Sequence, residues 1–162
     1  MERSTAWLRS PESGNIGPVA DVLQRVPAPV VKRLTDAERA FLEQPYVGVV
    51  TDLRPDGSPH STVVWVDVDD EGVSFNTARP RAKPRYLEDD PRLSLVVLDP
   101  QDPYRWIAIT GTAAMKDEGA DDQIDRLSKK YTGREKYASH RDGETRVSVR
   151  ISPTWIESRG LG

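Results

Sequence analysis

The 162-residue sequence has no cysteine and only two histidines, His60 and His140. The first absence excludes disulfides, thiolate nucleophiles and cysteine-based zinc or iron–sulfur sites. The second leaves too few imidazoles for a His-rich metal centre. A basic excess is missing too: 23 Lys and Arg stand against 26 Asp and Glu, a formal net charge of -3. Proteins that live on nucleic acid draw affinity from neutralising phosphates, so the global balance argues against that partner. No apolar run approaches the about 20 residues of a membrane span. The first residues carry Glu2, Arg9 and Glu12 and lack the continuous apolar core of a signal peptide. The expectation is a cytoplasmic protein without a membrane or nucleic-acid partner. No G-x-S-x-G nucleophile elbow occurs, and no G-x-G-x-x-G follows a strand, so a serine hydrolase or Rossmann nucleotide site is not expected.

The length suits one domain with a substantial core. Residues 1–33 differ in texture from the rest, because Pro11, Pro18, Pro27 and Pro29 interrupt any regular element. They read either as an extension packed on the domain or on a partner subunit, or as a disordered tail. The domain proper, residues 34–162, opens with Thr35 and Glu38 at capping-box spacing, and the helix they start must stop near Pro45.

Strands follow. Residues 46–52 are rich in β-branched side chains and end in the turn signal Arg54-Pro55-Asp56-Gly57. Residues 60–68 read as one second strand, and Asp69 to Gly72 turn it into a third over residues 73–77. Residues 93–98 form a nearly continuous apolar run, as in a strand covered on both faces. Residues 106–115 make another strand. Ile124, Leu127 and Tyr131 then fall at helical spacing, with acids before them, Lys129 and Lys130 near the end, and Gly133 as a C-terminal cap. The polar stretch 134–144 is expected as a mobile loop. In the last strand Thr145, Val147, Val149 and Ile151 alternate with Arg146, Ser148 and Arg150, and residues 153–156 extend it after a break. Short antiparallel strands joined by tight turns close on themselves to remove their edges. The expected fold is mainly β (α+β): a six- to seven-stranded antiparallel split β-barrel with two or three flanking helices.

The densest chemistry lies in Arg79, Arg81, Lys83 and Arg85, which alternate directly after a strand and across the first turn of a short helix. Guanidinium forks, an ammonium and free helix N–H groups suit a phosphate. The same composition also suits a solvated basic loop. His60 could act as a general base, although a single His at a strand start more often packs or hydrogen-bonds. Trp65 and Trp106 could be core or interface residues.

The order and spacing of several segments carry a resemblance. They are GVVT with Asp56-Gly57, Pro59, Ser61, Val64 and Trp65; then Arg81-x-Lys83-x-Arg85-x-Leu87 followed by PRLSLVV; then WIAITGTA over 106–113. Over residues 35–157 the chain resembles the pyridoxamine-phosphate-oxidase-like split barrels. Pro80 to Lys83, with Tyr104 to Trp106, looks most like the actinobacterial branch that uses coenzyme F420, a deazaflavin, in place of FMN. The resemblance implies that Arg81 and Lys83 grip the cofactor phosphate and that the backbone from Ser61 through Thr62 and Val63 to Val64 lies along the ring. It implies further contacts from Asn76 and Thr77, and a homodimer with the cofactor at its interface, so that Trp106 reaches the ring of the neighbouring subunit. Arg79 and Arg85 fit an anionic oligoglutamate tail. The function implied is hydride transfer between coenzyme F420 and a conjugated small-molecule acceptor, with no dedicated acid–base residue and no metal. An FMN-dependent oxidase or reductase, and a non-catalytic carrier of either cofactor, are the alternatives.

Overall fold

The computed structural model describes residues 31–162. The extension expected over residues 1–33 lies, up to position 30, outside the described residues. Chain order is α1 (Asp36–Glu43), β1 (Gly48–Leu53), β2 (Pro59–Val64), β3 (Val66–Asp69), β4 (Gly72–Arg79), α2 (Ala82–Asp89), β5 (Arg92–Leu98), β6 (Trp106–Lys116), α3 (Ala120–Thr132) and β7 (Thr145–Arg159). The expected split barrel is thus present, as seven strands and three helices among the described residues.

All seven strands form one antiparallel sheet in the order β2-β1-β5-β6-β7-β4-β3. Its two margins, β2 and β3, are consecutive in the chain and separated by Trp65 alone. The sheet therefore curls until its margins meet at one residue, and the seam of the barrel is Trp65. Residues 60–68, read from sequence as one strand, are divided there: the face alternation survives, but the ladder changes partner from β1 to β4.

Cross-strand partners share a face, so the register identifies the core. Val50, Leu95 and Ile109 are successive partners, as are Val149, Phe75 and Val66, and all six are fully buried. Phe41 and Leu42 of α1 join this core. The capping box starts α1 as expected: Thr35 Oγ1 accepts the Glu38 N–H, and Glu38 Oε2 accepts the Thr35 N–H.

Three expectations need correction. β5 is covered on one face only: Leu93, Leu95 and Val97 are buried, whereas Val96 and Leu98 are 38% and 43% exposed. The apolar run is continuous because its outer face is also apolar, and none of the described residues covers that face. The break expected before residue 153 is a β-bulge inside one 15-residue strand, where the register with β6 shifts at Thr110/Gly111. A Cβ on Gly111 would lie 2.2 Å from the Ser152 carbonyl oxygen, so only glycine lets the bulged strand approach. Finally, stretch 134–144 is anchored. Asp125 accepts from the Tyr137 N–H at 2.9 Å and pairs with Lys136, and Tyr137 packs edge-on against Trp65.

Candidate functional site

α3 packs across β3, β4 and β7 near the seam. Its buried side carries Ile124 and Leu127 but also Gln123, which faces polar strand residues. Gln123 donates to Ser74 Oγ at 2.9 Å and accepts from Asn76 Nδ2 at 3.1 Å, and Asn76 also donates to the Ala120 carbonyl. The polar face of β4 is thus hydrogen-bonded to the helix above it. At the C-terminal end of α3, Tyr131 stacks on Trp65, with ring centroids 5.2 Å apart and planes 5° from parallel. The Tyr131 hydroxyl donates to the Tyr46 carbonyl at 2.7 Å and accepts the Val66 N–H at 2.9 Å, tying both sides of the seam. Burial pushes this hydroxyl up to about 12. Lys130 donates to the Leu42 and Val66 carbonyls, and burial lowers its ammonium to about 8.

Beside this seam lies a cleft of about 420 Å³, lined by residues of β2, β4, α2, α3, the 134–144 stretch and β7. One wall is Thr62, Val63, Val64 and Trp65, closed off by Tyr137 and Ile124. Among the described residues β2 pairs with β1 alone, so its other backbone edge makes no ladder bonds there. Cationic side chains line the same cleft. Arg81 is the N-cap of α2 and uses no side-chain cap; its Nε and Nη2 donate to the two oxygens of Glu144 at 2.9 and 3.0 Å. Lys83, in the first turn, is buried and donates to Thr62 Oγ1. Burial lowers the Lys83 ammonium; Asp52 opposes that shift, and Arg81 adds to it. Asp52 is completely buried in β1 and holds His60 Nδ1 at 2.8 Å, while its Oδ2 has no hydrogen-bond partner among the described residues. His60 lines the cleft with its ring edge-on to Tyr86.

Arg146 is the third cation of the cleft. It is 4% exposed, its guanidinium lies 4.5 Å from the Tyr137 ring centroid, and its Nε and Nη2 have no hydrogen-bond partner among the described residues. Nη2 stands 3.6 Å from Glu144 Oε2, beyond hydrogen-bond reach. Buried guanidinium N–H groups are costly to leave unpaired. Arg146 itself is among the residues lining the cleft, with a half-exposed arginine and a lysine. That arrangement fits a phosphate. Asn76, another lining residue, has a buried Oδ1 without a hydrogen-bond partner among the described residues. With an apolar and aromatic wall and three cations lining one cleft, the residues fit a flat heterocycle that carries a phosphorylated side chain.

Of the residues expected from sequence, Thr62, Val63, Val64, Asn76, Thr77, Arg81 and Lys83 meet in this cleft. Four do not line it. Arg79 turns away to Glu88 at 2.5 Å and to Asp117. Arg85 lies over the Tyr86 ring, on the surface. The Ser61 hydroxyl pairs with Thr51 Oγ1 on the outer sheet face. Trp106 opens β6 opposite Leu98, on that same outer face. Sequence reasoning missed Arg146 and Tyr137. Arg146 sits on the strand face that alternation marks as polar and therefore solvent-facing. It is buried because the 134–144 stretch, anchored to α3, covers that end of β7. No local pattern carries that information.

Comparison with known families matches residues 34–160 to Pyridoxamine 5'-phosphate oxidase. Among individual proteins, an F420H(2)-dependent biliverdin reductase of Mycobacterium tuberculosis is 28% identical over 119 residues, spanning 74% of this chain and 83% of that protein. A solved F420 reductase superposes with a TM-score of 0.66 at 24% identity, covering 76% of this chain and 98% of its own. A conserved hypothetical protein of Mycobacterium tuberculosis gives 0.61 at 25% identity, covering 78% and 84%.

Proposed function

The chain belongs to the pyridoxamine 5'-phosphate oxidase family, and from that premise we propose that it is an oxidoreductase that binds coenzyme F420 and passes a hydride to a conjugated organic acceptor. The observation that carries the reading is a single cleft lined both by residues 62–65 and Tyr137 and by Arg81, Lys83 and Arg146. The similarity to a reductase named for reduced F420 favours the deazaflavin over FMN. When bound, such a ring supplies the hydride, and this chemistry belongs to the cofactor.

The protein's own contribution is position and exclusion of water. The β2 edge and the Trp65–Tyr131 stack form a rigid wall, because the Tyr131 hydroxyl holds the seam closed behind it. Arg81, Lys83 and Arg146 would hold the phosphorylated side chain by charge-assisted hydrogen bonds. His60 has Nδ1 committed to the buried Asp52, which fixes its ring edge-on to Tyr86. It lines the cleft as a fixed ring.

The reading includes a homodimer. Val63, Val49 and Val96 are successive cross-strand partners on the outer face, with Leu98 on the same face of β5 and Trp155 further along. All five are exposed among the described residues of the single chain. A contiguous apolar sheet face of this kind marks an interaction surface. Trp106 lies on that face, outside the cleft of its own subunit, so a partner docked there could receive it.

Calorimetric titration of the purified protein with coenzyme F420 and with FMN, followed by stopped-flow reduction of conjugated acceptors, tests the proposal. Tighter binding of F420 and acceptor-dependent oxidation of its reduced form are expected. Binding of FMN alone would redirect the assignment to a flavin enzyme. Binding without turnover of any acceptor would leave a carrier.

A further inference from the structure

We propose that Arg146 and Arg81 form a two-guanidinium seat for a phosphate group, in which the Glu144 carboxylate is an internal stand-in that the ligand displaces. Three observations point to one place. Arg146 is buried and lines the cleft, yet its Nε and Nη2 have no partner among the described residues. Arg81 approaches from the start of α2 and gives both ends of its fork to Glu144. The Glu144 side chain, only 8% exposed, sits between the two guanidinium groups, bonded to one and 3.6 Å from the other.

A carboxylate and a phosphate present the same bidentate face to an arginine. Glu144 satisfies Arg81 but leaves two donor nitrogens of Arg146 unpaired, whereas a phosphate has oxygens enough for both. Exchange therefore replaces a half-satisfied cluster with a satisfied one. Glu144 stands at the end of the stretch that precedes β7, and that stretch is anchored further back, at Tyr137, by Asp125. The carboxylate can leave by rearranging residues 138–144 while Tyr137 stays against Trp65.

The inference rests on the reading of the cleft as a site for a phosphorylated cofactor, but its test does not depend on the ring. The probe is inorganic phosphate. It would be titrated into the full chain, with binding followed by calorimetry and by the side-chain Nε–H resonances of Arg81 and Arg146. In the wild type both resonances should move and saturate together. Glu144→Gln removes the competitor's charge, and phosphate affinity should rise about three- to tenfold. Arg146→Gln should weaken it by about tenfold or more. Arg146→Lys restores charge without the fork and should recover only part of the loss.

A Glu144→Gln protein that unfolds cooperatively and binds phosphate no tighter than wild type would overturn the stand-in role. An Arg146 resonance that stays put at saturating phosphate would overturn the seat. The cofactor arm separates this from the broader reading. If phosphate behaves as described but neither F420 nor FMN binds, the seat stands and the proposed function falls. If a cofactor binds and Glu144→Gln does not strengthen it, the function stands and this inference falls.

Discussion

Replacing Tyr131 with Phe removes one oxygen from the seam of the barrel, and its cost can be worked from the geometry. The ring remains, so the stack on Trp65 is retained. Two backbone groups lose their partner: the Tyr46 carbonyl, which accepts the hydroxyl at 2.7 Å, and the Val66 N–H, which donates to it at 2.9 Å. Val66 is fully buried at the start of an edge strand, so no ladder bond replaces the lost one. A buried donor or acceptor without a partner costs about 1–3 kcal/mol. Tyr46 is only half-buried, and water recovers part of its share. The expected loss is about 2–4 kcal/mol, or roughly 5–15 °C in Tm for a domain of this size. Urea unfolding followed by circular dichroism measures it. A loss below about 0.5 kcal/mol would refute the claim that this hydroxyl closes the seam.

Alkaline pH supplies a second arm of the same experiment. Burial raises the Tyr131 hydroxyl from 10.0 to about 12. The unfolded chain therefore ionises first, and between those two values it binds fewer protons than the folded protein. Stability contributed by Tyr131 is complete below pH 10 and falls as pH rises toward 12. The phenyl ring of the Tyr131→Phe variant has nothing to ionise. The wild-type advantage over that variant should therefore shrink across the interval. A difference that stays constant from pH 9 to pH 12 would place the hydroxyl in water.

Three further outcomes are expected. Arg81→Ala and Lys83→Ala should each weaken cofactor binding by about 1.5–3 kcal/mol in calorimetry, with less salt dependence left in the double variant; a double variant that binds as tightly as wild type removes these two cations from the site. His60→Gln should change the hydride-transfer rate less than about tenfold, yet lower apo-protein stability by about 1–3 kcal/mol because it strips the buried Asp52 carboxylate of its partner; a large rate loss with binding intact would make His60 an acid or base. Gly111→Ala must push its methyl into the Ser152 carbonyl, so thermal unfolding should show a loss of at least about 2 kcal/mol, and a neutral effect would mean that the bulge relaxes freely.

What composition and periodicity determined here is local. Alternation of apolar residues marked the strands because a half-buried sheet repeats every two residues, and Thr35 with Glu38 marked the start of α1 because the two side chains satisfy each other's neighbouring N–H. The spacing of Arg81 and Lys83 after a strand was readable for the same reason: both sit within one turn of a helix whose start the chain itself encodes. Where those strands go was not readable. Residues 60–68 alternate without interruption, yet the sheet margins meet at Trp65, and only closure of the whole barrel decides that. Arg79 and Arg81 look equivalent in sequence, but Glu88 and Asp117 draw the first away while Glu144, 63 residues on, draws the second into the cleft. Arg146 shares the alternating register of Ser148 and Arg150, which by pattern belongs to solvent. It is buried because α3 and the chain leading out of it cover that end of β7, and a residue's own neighbours in sequence do not record what another element lays over it.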